Sequence, residues 1–152
     1  ASYNVLGLVF GDVFEDEGLP LPGVQNCNAV ATGEKFPLIS YSHGTNGSPY
    51  ESLYILAVLA SYGFIVAVPA HIGNTAFDQP QDSDAQINFN RPRDIIAVND
   101  FLLGSSAFFS SSIDPNKVGV FGYSRGGNTA YASAVADDRI KALATMAGSA
   151  DP

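Results

Sequence analysis

The chain has 152 residues, enough for one domain with a true core, and 46% of them are apolar. Its net charge of −8, with only 14% charged residues, leaves no basic stripe. That excludes nucleic acid and anionic lipid as partners. No apolar run reaches the roughly 18 residues of a membrane span, and the longest, LYILAVLA at 53–60, has the length of a core helix.

The first residue is Ala1 and no signal peptide is visible, so the N-terminus is expected to be processed or trimmed. Low charge with many Ser, Asn and Gly favours an extracellular or periplasmic protein over a cytoplasmic one. Cys27 is the only cysteine. It is read either as an inert thiol or as half of a bridge to other sequence.

In chain order, YNVLGLVFGDVF at 3–14 predicts a strand at a sheet edge, and 15–34 reads as loop. FPLISYS at 36–42 predicts a strand. Ser48, Pro49 and Glu51 have the spacing of an N-cap, a first helical position and a capping box, which predicts a helix to about Tyr62. Gly63 suits the position after that helix. FIVAV at 64–68 is apolar throughout, as in a strand covered on both faces.

A long polar loop is expected over 69–90, with an acidic group at Asp78, Asp82 and Asp84. Their spacing fits no calcium loop and reads as solvated. RPRDIIAVNDFLL at 91–103 predicts a helix with Ile95, Val98 and Leu102 on one face and Gly104 as the stop. A serine-rich connection turns at Asp114–Pro115. KVGVF at 117–121 predicts a strand, the residues after Ser124 a helix to about Ala136, and 139–146 a further strand. Asp137, Asp138 and Arg139 read as a solvated turn. Strand–helix–strand repeated three times predicts a mostly parallel sheet with helices on both faces.

Two stretches carry chemistry. Gly122-Tyr123-Ser124-Arg125-Gly126 is a G-x-S-x-G where a strand hands over to a helix. A nucleophile in that turn needs small residues on either side, because strand and helix pass close together. The N–H of Arg125, at a helix N-terminus, is placed to donate to an oxyanion. His43-Gly44-Thr45 ends an earlier strand, and the N–H of Thr45 is the second expected donor. Neither a dinucleotide fingerprint nor a P-loop is present, and no cofactor or metal is expected.

These motifs, in this order, resemble the α/β-hydrolase superfamily from about Phe36 to Ala147. PLISYSHG with ASYGFIVAVPAH is similar to platelet-activating-factor acetylhydrolase-like and dienelactone-hydrolase-like proteins. GYSRGG is similar to the elbow of chlorophyllases. The segment after FIVAV is similar to bacterial cutinases and polyester hydrolases. Dienelactone hydrolase carries cysteine at the nucleophile, and cutinases carry a tryptophan where this chain reads MAGSADP.

The resemblance implies an α/β-hydrolase fold, a single domain over 1–152, and a serine carboxylic ester hydrolase working through an acyl-enzyme on a small or polymeric ester. It also implies a base and an acid following Ser124 in the order Ser, acid, His. The 28 residues after Ser124 hold no histidine. His43 is read as shaping the oxyanion loop and His71 as a hydrogen-bonded loop residue, with the role of base as its alternative. Asp151 is one position for the acid. The domain is therefore expected to be incomplete after the strand that follows the elbow, with the catalytic histidine on other sequence or a second chain. The alternative is a non-catalytic binding chain of the same fold.

Overall fold

The computed structural model describes residues 33–104 and 110–148. The strand expected at 3–14, Cys27 and Asp151 lie outside the described residues.

Among the described residues four strands form one parallel sheet: β1 (Phe36–Ser42), β2 (Ile65–Ala67), β3 (Ile113–Tyr123) and β4 (Ile140–Met146). Their order is β2-β1-β3-β4. Three helices connect them: α1 (Leu53–Ser61), α2 (Asp84–Leu103) and α3 (Arg125–Ala136). Because the strands are parallel, their C-terminal ends share one edge, and the segments that follow β1, β2 and β3 leave from it.

Alternation along β1 divides the core in two. Leu38 faces one way, with Ile65, Ile95, Leu102, Ile113, Val118, Val120, Ala130 and Ile140 in the cluster under α2 and α3. Tyr41 faces the other way, packed with Leu56, Ala60, Val66 and Val68 under α1. Each such Leu or Ile contributes about 1.5–3 kcal/mol by burial. The larger cluster is therefore the main support of α3, the helix that carries the elbow. The α1 side of β3 and β4 is an open apolar groove lined by Gly119, Phe121, Ala142 and Ala144 among others. β4 is exposed from Lys141 onward.

Three element boundaries differ from the sequence reading. The helix expected from Ser48 begins only at Leu53. Glu51 closes no capping box, because its carboxylate accepts from Gly44 N–H and the Tyr41 hydroxyl instead. The far end of α1 is as expected: Gly63 has φ +89°, its N–H reaches Ala60 O, and Phe64 N–H reaches Leu59 O. That pair of bonds satisfies the last carbonyls of the helix.

The second difference is larger. α2 starts at Asp84, so 84–90 is helix rather than loop. Its cap is a true capping box. Ser83 Oγ accepts from Gln86 N–H, and the Gln86 side chain accepts from Ser83 N–H. Pro92 sits inside this helix and removes one backbone donor. Beside it the Phe89 carbonyl accepts from the Arg93 guanidinium. Third, β3 begins at Ile113, upstream of the strand expected at 117. Its pairing jumps from Phe36↔Ile113 to Leu38↔Val118, and the intervening chain bulges at the Asp114–Pro115 turn.

The helix-to-strand turn before β4 is not simply solvated. Asp137 is buried and takes two bonds from the Arg139 guanidinium, at 2.8 and 2.7 Å. Arg139 also reaches Asp100 of α2 at 2.6 Å. Asp138 alone of the three is exposed.

Candidate active site

Ser124 stands between β3 and α3 with φ 52° and ψ −122°. A non-glycine residue there stores on the order of 1–3 kcal/mol of strain. The surroundings hold it in place. Its N–H donates to Met146 O at 2.8 Å, and its own carbonyl accepts from Gly127 N–H at 2.8 Å. Any Cβ at Gly122 would collide with the Gly126 carbonyl, and any Cβ at Gly126 with the carbonyl of Ser42. Both glycines of the motif are thus required by backbone contact.

Arg125 is the first residue of α3, so its N–H has no acceptor within the helix. Its side chain turns away and pairs with Asp84 Oδ1 at 2.8 Å. Gly44 packs directly on the elbow: a Cβ there would lie 3.5 Å from Ser124 Cβ and 3.4 Å from the Tyr123 ring. Thr45 follows in an exposed turn closed by Gly47 N–H to Gly44 O. The three residues expected to act together, Ser124, Arg125 and Thr45, thus lie on segments brought to one edge of the sheet. Beside them is a cleft of about 460 Å³ lined by Glu51, Ser52, Tyr54, Ile55, Tyr123 and Met146. Phe77 and Phe89 are exposed and do not line this cleft, and the Arg93 guanidinium stacks on Phe89.

Both histidines are fully buried. His43 Nδ1 lies 2.8 Å from Gly44 O, and its Nε2 accepts from His71 N–H at 3.2 Å. The ring is therefore neutral with the proton on Nδ1. Burial pushes its pKa down to about 4, against the pull of the Gly44 carbonyl. His71 Nε2 lies 2.9 Å from Ser42 Oγ and its Nδ1 2.8 Å from Asp94 Oδ2. Burial lowers its pKa also, outweighing Asp94.

Ser42, His71 and Asp94 have the connectivity of a catalytic triad, and sequence reasoning missed them as a group. Ser42 is fully buried, and its Oγ also accepts from Arg91 Nη2 at 3.1 Å. A hydroxyl enclosed in this way has no path to an acyl carbon. Arg91 extends the network to Asn74 Oδ1 at 2.7 Å and to the carbonyl of His43. Burial pushes its pKa down to about 10. The group braces the turn after β1 from beneath. No spacing in the sequence signals it, because β1, the loop after β2 and α2 each supply one part.

A parallel sheet with helices on both faces and a strained serine at a strand-to-helix elbow defines an α/β-hydrolase fold. The chain belongs to the chlorophyllase family, an α/β-hydrolase-type esterase family whose model matches residues 26–150. Among solved structures it is similar to a ferulic acid esterase from Streptomyces cinnamoneus. The two share 28% identity with a TM-score of 0.59, over 72% of this chain. The chain spans 35% of the length of that esterase. No curated protein matches it.

Proposed function

We propose that this chain carries the nucleophile and oxyanion site of a serine-dependent carboxylic ester hydrolase. One observation above all supports the reading: Ser124 is held at φ 52° by two glycines that tolerate no side chain. Strain of that kind needs a compensating role. Membership of the chlorophyllase family and the likeness to a ferulic acid esterase agree with ester chemistry.

In this reading Ser124 Oγ bonds to the ester carbonyl carbon and passes its proton to a histidine base. The N–H groups of Thr45 and Arg125 hold the resulting oxyanion; one such donor is worth about 3–4 kcal/mol in the transition state. The tetrahedral intermediate collapses, the alcohol leaves with the proton, and water then releases the acyl group from Ser124. The cleft walls Tyr54, Ile55, Tyr123 and Met146 suit the apolar part of the ester.

Both ring nitrogens of His43 and of His71 are engaged in buried bonds. The proposal therefore takes the histidine base from sequence other than these 152 residues, and the acid that orients it from outside the described residues.

Ester turnover by the full protein tests this. Ser124→Ala should lower kcat by about 10⁴-fold or more. Turnover that persists in that variant would defeat the reading.

A further inference from the structure

The oxyanion turn is braced from beneath by Arg91, and on its outer side by a residue that neither the motif nor the mechanism uses. Glu51 Oε1 accepts from Gly44 N–H at 2.5 Å and from the Tyr41 hydroxyl at 3.1 Å. Tyr41 is fully buried and lies 2.5 Å from Ser52 Oγ, so the carboxylate is tied into the core side of α1. A Cβ placed on Gly44 would lie 3.5 Å from Glu51 Oε1 and 3.5 Å from Ser124 Cβ. Gly44 is thus sandwiched between the carboxylate and the elbow. Glu51 also occupies a notch that only glycine leaves open, since a Cβ on Gly47 would overlap its Oε2.

We propose that Glu51 is a positioning residue for the oxyanion donor of the His43-Gly44-Thr45 turn. By accepting the Gly44 N–H it fixes that peptide and so sets the direction of the next amide, Thr45 N–H. The Gly44 amide is consumed by Glu51, which leaves Thr45 as the donor on this side. Oxyanion donors act only at 2.7–3.1 Å from the developing charge, so a rotated peptide forfeits most of their effect. The carboxylate acts here through the oxygen it presents. Its charge works against a nearby oxyanion, so an uncharged acceptor at the same place should serve as well. This inference rests on the oxyanion role proposed above for Thr45.

The test uses the full protein with a fluorophosphonate ester, following the second-order rate of Ser124 modification by mass spectrometry, together with kcat and KM on a soluble ester. Glu51→Ala should slow Ser124 modification and kcat by about tenfold or more with KM little changed, as for an interaction made only in the transition state. Glu51→Gln, whose amide oxygen still accepts from Gly44, should stay within about threefold of wild type. Gly47→Ala, which displaces the carboxylate without removing it, should behave like Glu51→Ala. The inference is overturned if Glu51→Ala or Gly47→Ala reacts at the wild-type rate, or if Glu51→Gln falls as far as Glu51→Ala. An unreactive Ser124 in the wild type would instead overturn the proposed function, and this inference with it.

Discussion

His43 and His71 show what burial does to a residue. Burial lowers the pKa of both, and His43 is neutral because its Nε2 must accept from His71 N–H. A buried neutral histidine binds its proton less readily than the same residue in the unfolded chain, whose pKa is about 6.5. For His43, whose folded pKa is about 4, the unfolded chain therefore takes up a proton between about pH 6.5 and 4 that the folded chain refuses. Stability must then fall as pH drops through this window, by about 1.4 kcal/mol per pH unit for His43, and the lowered pKa of His71 acts in the same direction. Arg91 and His71 beside His43 extend the window to lower pH, while the Gly44 carbonyl and Glu51 oppose it. Denaturant midpoints taken at several pH values check this. His43→Gln should flatten the slope by about one proton, and an unchanged slope would contradict the account. The residue scale is also where the sequence is least legible. His71 reads as a loop histidine, and nothing near it in sequence announces Asp94 or Arg91. Glu51 reads as a capping residue because its spacing from Ser48 is right, yet a tertiary partner, Gly44, takes its carboxylate.

Elements were legible where their signals are local. The elbow was visible because close approach of β3 and α3 excludes every side chain at Gly122 and Gly126, and the end of α1 because Gly63 has positive φ. α2 was read short by seven residues. Its first two turns are mostly polar and exposed, so no apolar period marks them, and Pro92 mimics a helix start. The true start, Ser83 with Gln86, is a capping box four residues long inside a stretch that composition marks as loop. The elbow glycines allow a sharp prediction at this scale. Gly126→Ala places a methyl against the backbone carbonyl of Ser42, which cannot yield without moving β1. The expected loss is about 3 kcal/mol or more, in the range of overpacked cores. An equilibrium unfolding curve for this variant that overlays the wild type would show that β1 and α3 are not in the contact described.

At the scale of the molecule, the parallel sheet brings the strained Ser124 turn, the His43-Gly44-Thr45 turn and the strut of Arg91, His71 and Asp94 to one edge. The parallel sheet with helices on both faces was readable from the alternation of apolar runs with helical spacing, while the strand order β2-β1-β3-β4 came from the structure. Which serine faces the substrate was not settled by connectivity alone, since Ser42 has the His–Asp pair and Ser124 does not. Exposure and strain support Ser124 as the proposed nucleophile: Ser42 is enclosed, while Ser124 is partly exposed at a strained turn beside an open cleft. The most direct test is to treat the native full protein with a fluorophosphonate, digest it with trypsin, and locate the adduct by fragmentation of the peptide 118–125. The account predicts a single adduct on Ser124, lost in Ser124→Ala and retained in Ser42→Ala. An adduct on Ser42, or an unmodified Ser124 in protein that hydrolyses esters, would contradict it.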